Sequence, residues 1–211
     1  MRWSFDRVGF PMMMVRNPPL RVHVLPVMKV QYERFLAEPG AYGDGWYEQV
    51  LAVSPRGCWR DARIEEYESL LMTATLLNEW TAFGKWLGPG FGLPSTDKWR
   101  ALDRALAAAP FNHDELKELQ DRPELHPAAN AMLSLIVARC RPRDWGRLML
   151  FRGGVLEWVR HRDGFGGLGA PRPEFQAVIV NPQRDDPVRP VREGRFRFFG
   201  ARMIDTSPTD E

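Results

Sequence analysis

Cysteine is nearly absent from this 211-residue chain: Cys58 and Cys140 are the only two, far apart and outside any CxxC or metal-ligand spacing. That excludes a disulfide framework and a cysteine-rich zinc site, and leaves buried free thiols as the expected state of both. Histidine is also scarce, with His23, His113, His126 and His161 as the full set, and neither cysteine nor histidine follows His161. No apolar run approaches the roughly 18 residues of a membrane span, since Leu133 to Ala138 is broken at Arg139. Asp6 and Pro11 interrupt Met1 to Val15, so the basic region and apolar core of an export signal are not found there. A soluble, cytoplasmic protein is the expectation.

Lysine is the next scarcity. Of 29 basic residues four are lysine, and residues 139–202 contain 14 arginines, 7 acidic residues and no lysine, although the whole chain carries only +2. Guanidinium groups bind carboxylates and phosphates as a planar fork, so an arginine-rich face suits an acidic protein, a nucleic acid or a phosphorylated ligand. Arginines that pair internally or solvate the surface would give the same composition.

Eighteen glycines and eighteen prolines spread along the chain point to many short elements joined by turns rather than a helical bundle. Leu20 to Leu25 alternates apolar and polar residues as a half-buried strand does. Val27 to Ala37 reads as a helix with Tyr32, Phe35 and Leu36 on one face, and a second helix is predicted from about Arg63 to Leu87, stopped by Gly88-Pro89-Gly90. Ser95 is placed to cap a third helix with its body over Lys98 to Ala109. Asn112 to Leu119 reads as a short amphipathic helix and Ala128 to Cys140 as a buried one. Strands are predicted over Trp145 to Val159, Phe175 to Val180 and Arg195 to Ile204. The expected organisation is one domain over residues 1–204 and an acidic tail over 205–211.

Four segments carry a family pattern. Pro26-Val27-Met28-Lys29-Val30-Gln31-Tyr32-Glu33-Arg34-Phe35-Leu36 resembles a "VTxxQYxxFL" strand-to-helix entry, and Gly92-Leu93-Pro94-Ser95-Thr96-Asp97-Lys98-Trp99 resembles "RLPTEAEW". Gly153-Gly154-Val155-Leu156-Glu157-Trp158-Val159 resembles "GNVWEWV", and Phe199-Gly200-Ala201-Arg202 resembles a closing "GFR". In this order they are similar to the formylglycine-generating enzyme family, or sulfatase-modifying factors, whose C-type-lectin-like fold is shared by hercynine oxygenases and by variable proteins of diversity-generating retroelements. The resemblance implies an α+β fold of short strands and few helices with much irregular structure. Packing alone suits Trp99 and Trp158, which read as core anchors. Glu157 either alternates out of the buried face or is held by Arg152 or Arg160.

The chemistry that the resemblance implies has lost its residues. Family members oxidise a substrate cysteine with two active-site cysteines that bind copper, in the interval that corresponds here to Phe175 through Arg202, and this interval contains no cysteine. Asp185 and Asp186 cannot replace a soft thiolate, and read as a solvated turn between Pro182 and Pro187. The His-x-x-x-His-x-Glu iron site of hercynine oxygenases has no counterpart among the four histidines. A family calcium site would use an asparagine where Leu150 stands, together with Glu157. No cofactor or metal is therefore expected. Gly164-Phe165-Gly166-Gly167-Leu168-Gly169 lacks the Lys-Ser or Lys-Thr of a phosphate loop and reads as a surface loop between strands. Ser54, Ser69, Ser95 and Ser134 lie in no nucleophile elbow.

The expected function is that of a binding protein on this scaffold, in an immunity, adaptor or accessory role toward another bacterial protein. Its expected surface is the Arg- and Gly-rich region with Arg160, Phe165, Arg172, Phe175, Arg184, Arg189 and Arg192. Two alternatives belong to other classes. One is a metal-dependent oxidase whose catalytic thiol has moved to Cys58 or Cys140, and the other is nucleic-acid binding through the same arginines with Trp145, Phe196 and Phe198.

Overall fold

The alternation of Leu20 to Leu25 becomes a strand because Leu20 and Val22 enter the core while Arg21 faces partly outward. In a computed structural model, described over residues 2–16, 19–38, 71–149, 155–162, 164–169 and 199–207, this strand is β3 (Pro19–His23), the third of an antiparallel run with β1 (Trp3–Phe5) and β2 (Pro11–Arg16). The sheet is completed by β4 (Phe91–Gly92) and β8 (Ile204–Asp205), in the order β1-β2-β3-β8-β4. Val22 lies opposite Ile204, and Ile204 opposite Gly92. Late and early chain are thus joined in one sheet. A second sheet places β5 (Leu156–His161) between antiparallel β6 (Gly164–Leu168) and parallel β7 (Phe199–Gly200).

Local chemistry fixes the helices. In α1 (Lys29–Leu36) the Gln31 side chain accepts from Met28 N, and in α2 (Leu77–Leu87) Glu79 Oε2 accepts from Leu76 N at 2.6 Å. Each closes an otherwise open donor at the helix start. Ser95 caps α3 (Thr96–Ala107) as predicted, its Oγ accepting from Lys98 N. Asn112 caps α4 (His113–Gln120), and α5 (Pro127–Cys140) starts with proline at its first position and the His126 ring as its cap. Asp144 caps the single turn α6 (Trp145–Leu148).

Two apolar cores result. One joins β2 and β3 to α3, α4, α5 and α6 through Met13, Val22, Trp99, Leu102, Leu119, Leu133 and Trp145. The other is aromatic: Tyr32, Phe35, Trp80 and Phe83 of α1 and α2 meet one another at ring separations of 4.9–6.0 Å, and Trp158 and Phe199 belong to the same cluster. Exposed Arg7 closes its edge, stacked 4.5 Å over Trp86.

Several predicted elements are revised. The helix expected from Arg63 to Leu87 begins only at Leu77, and residues 63–70 lie outside the described residues. Leu71 bridges Met28, Met72 N donates to Val27 O, and Ala74 adopts a φ of 63°, so tertiary pairing overrides apolar spacing there. Trp145 opens a helical turn rather than a strand, because the Asp144 carboxylate satisfies its N-terminal donors. The predicted strand over Arg195 to Ile204 is two short strands in different sheets, with 195–198 outside the described residues. Asp205, first residue of the expected acidic tail, is buried in β8 and pairs with Arg21. The Phe175 to Val180 segment lies outside the described residues.

Of the run expected to be a loop, Gly164–Leu168 is strand β6, and two of its glycines have steric reasons. A Cβ on Gly167 would fall on the Phe199 ring, and one on Gly166 would strike the His161 imidazole. Glycine lets the neighbouring rings lie directly on the β6 backbone.

Candidate functional site

Glu157 sits in the middle of β5, fully buried. Of the two arginines expected to hold it, Arg160 is directed elsewhere, its Nε donating to Leu93 O, and Arg152 lies outside the described residues. The partner of Glu157 is Arg202, whose Nε lies 3.1 Å from both carboxylate oxygens and whose Nη2 donates to Oε1 at 2.9 Å. Trp99 Nε1 donates to Oε2 at 2.9 Å. Arg202 Nη1 also donates to the carbonyls of His23 and Val24, each at 2.7 Å, and Nη2 to that of Met149. A buried charge is tolerated only when so thoroughly paired. The three residues come from three of the four segments that carry the family pattern, and the first of those segments continues from Val24 through Pro26 into α1.

This geometry does not suit calcium at Glu157. Both carboxylate oxygens already accept from a guanidinium or an indole N–H, and a divalent cation would have to sit beside the positive Arg202. Among the described residues no group of three or more His, Cys, Asp or Glu side chains converges as a metal site. Copper of the family type needs thiolates that the interval 175–202 lacks. Cys58 lies outside the described residues, and Cys140 is the last residue of α5.

A second buried polar cluster adjoins the first through His23, and no motif marks it in the sequence. Asp6 Oδ1 accepts from Val8 N and Phe10 N, each at 2.9 Å, while Oδ2 accepts from Gln31 Nε2 at 2.6 Å and lies 3.1 Å from His23 Nε2. Burial pushes the Asp6 carboxyl up, but the hydrogen bond and attraction of His23, with the two backbone donors, outweigh it and hold the group below its ordinary value. The cluster ties the β1–β2 turn to β3 and α1. His23 stands on the Arg21 side of β3, off the Leu20–Val22 stripe, so alternation along the strand does not mark it as buried.

At the outer end of β5 the surroundings change. Arg160, His161 and Arg162 are exposed, and Phe165 is 45% exposed, the one exposed large hydrophobic among the described residues. Arg160 and Phe165 are direct cross-strand partners and so share one face of the hairpin. The Arg160 backbone N–H donates to Pro94 O at 2.9 Å, and its side-chain Nε donates to Leu93 O at 3.1 Å. The guanidinium is therefore held by its Nε while its end faces solvent. Thr96 Oγ lies 2.8 Å from His161 Nδ1 and 3.3 Å from Arg160 O, which ties the start of α3 to the same end.

Of the expected binding residues the fold thus brings Arg160 and Phe165 together, while Arg172, Phe175, Arg184, Arg189 and Arg192 lie outside the described residues. Trp145, offered as a base-stacking residue, is fully buried between Trp3 and Phe111, with ring centroids at 5.2 and 5.0 Å. It is a core residue. No helix of the described residues is long and apolar enough to cross a membrane. Comparisons with family models, curated proteins and solved structures return no match for this chain.

Proposed function

We propose that the chain is a non-catalytic, cytoplasmic binding protein on a formylglycine-generating-enzyme-like, C-type-lectin-like scaffold, recognising a partner protein through the outer end of the β5–β6 hairpin and the arginine-rich segment that follows. One observation carries this reading. The pattern-bearing residues Trp99, Glu157 and Arg202 bond to one another in the interior, whereas Arg160 and Phe165 stand in register and exposed on the same hairpin. Residues closed on one another hold a fold, and a solvent-facing arginine beside an exposed aromatic has the composition of an interface anchor. Function belongs to the surface built on a fold rather than to the fold itself.

The test compares co-purification from native host cells by the wild type and by an Arg160→Glu/Phe165→Ser variant of equal stability. A stoichiometric protein retained by the first and lost from the second is expected. Identical recovery by both would remove the hairpin from the interface. Copper or iron bound stoichiometrically to the purified chain would instead favour an oxidase with relocated ligands.

A further inference from the structure

The connection between α5 and α6 carries an unusual arginine. Residues 139–147 contain Arg139, Arg141, Arg143 and Arg147 against a single acid, Asp144. That acid is directed at its own turn: Oδ1 accepts from Arg147 N at 2.8 Å and Oδ2 lies 3.6 Å from Arg147 Nε. Arg141 and Arg143 are exposed, and among the described residues their guanidinium groups have no acidic partner.

Arg141 terminates α5 in the left-handed region, with φ 41° and ψ 63°. Glycine or asparagine normally stands there, because any Cβ in that conformation crowds the following carbonyl. Favourable interaction of a cation with the helix C-terminus offsets part of that strain, but it gives no reason for Arg143, which lies beyond the helix. The backbone that bears both is fixed: Arg141 N donates to Val137 O, Pro142 is buried, Phe111 N donates to Arg143 O at 3.0 Å, and Asp144 bridges Pro110. Strain retained at an exposed position whose side chain touches no acid points to a use for that side chain outside the fold.

An aromatic ring stands beside this strip. Exposed His113 meets Phe111 edge-on at 4.8 Å, and Phe111 is the residue hydrogen-bonded to Arg143. Asp114 and Glu115 follow His113 in the first turn of α4. We propose that the α5–α6 connection binds single-stranded nucleic acid, with Arg141 and Arg143 on successive phosphates and the His113 ring stacked on a base. Arginine on phosphate together with an exposed ring on a base is the combination that single strands require. An acidic protein would use the charge but not the ring.

Fluorescence anisotropy of the full chain with a labelled, mixed-sequence 20-nucleotide DNA strand tests this. Binding is expected to weaken between 50 and 200 mM salt, and Arg141→Gly/Arg143→Ala should make the slope of log K against log salt shallower by about 1.4, at roughly 0.7 per phosphate contact on a single strand. His113→Ala should lower affinity about fivefold or more without altering that slope. Arg141→Gly alone should weaken binding while leaving the melting temperature unchanged or raised, because it removes charge and backbone strain together. A fall in melting temperature with affinity unchanged would assign Arg141 to the helix end and overturn the proposal. Equal affinity in the double variant, or equally effective competition by polyglutamate, would overturn it as well.

Discussion

Glu157 and Arg160 lie three residues apart on β5, and the strand treats them in opposite ways. Glu157 is closed off by Arg202 and Trp99 with no exposure, whereas Arg160 lies across from Phe165 with its charge toward solvent. The inner half therefore acts on stability and the outer half is free to act on a partner. One strand thus contains a residue that a fold cannot lose and one that it does not need.

The sharpest way to break this comparison is to leave a buried charge alone. Arg202→Leu strands the Glu157 carboxylate and three backbone carbonyls, and should cost about 3–5 kcal/mol in urea denaturation. Adding Glu157→Leu should recover part of the loss, since the orphaned charge is then removed. A cost for Arg202→Leu below about 1 kcal/mol would mean that the pair does not organise the interior.

Glycines on β6 and β4 give the next largest effect. Gly167→Ala forces a methyl against the Phe199 ring and should destabilise by ~1–3 kcal/mol. Gly92→Ala, where nothing lies within 4 Å of the added atom, should be neutral or slightly stabilising, because alanine restricts the unfolded chain. Equal effects at both sites would deny that the ring fixes the composition of β6.

Acid should act on the buried side first. His126 Nδ1 accepts from Ala128 N as the cap of α5, and partial burial, aided by the Arg34 cation, holds the His126 pKa below its ordinary 6.5. A depressed folded-state pKa means that the unfolded chain takes up the proton first, so this contribution is present above pH 6.5 and is lost as pH falls through the lower folded value. His126→Asn keeps a cap acceptor without titrating, and should flatten that part of the pH–stability curve. Asp6 follows the same sign further down: its stabilisation is present above 3.8 and lost as pH falls below it. A wild-type curve identical to that of His126→Asn would exclude the imidazole as the cap.

The smallest effects on stability belong to the outer half. Arg160→Ala and Phe165→Ser should each change unfolding free energy by no more than about 0.5 kcal/mol while reducing partner recovery. A destabilisation comparable to that of Gly167→Ala would place these side chains with the inner half and erase the contrast.

Residues that speak through local rules were legible. Ser95 as a helix cap, the strand of alternating residues ending at His23, and the short helix after Asn112 follow from hydrogen bonds or periodicities within a few positions. Leu71 to Leu76 was misread because apolar spacing does not record that Met72 N bonds to Val27 O. Gly164 to Leu168 was misread because a run of glycines states a backbone freedom, while the rings of His161 and Phe199 that need it come from elsewhere.

By itself the sequence determined the class of element at most described positions, Arg160 and Phe165 as candidate binding residues, and the absence of cysteine from residues 175–202. Only the tertiary structure decided that Glu157 pairs with Arg202 and not with Arg160, that Asp6, His23 and Gln31 share one hydrogen-bonded cluster, and that Trp145 is interior. The physical reason is separation along the chain. Glu157 and Arg202 are 45 residues apart, and the desolvation that makes their pairing obligatory exists only after β5, β7 and β8 have closed around them.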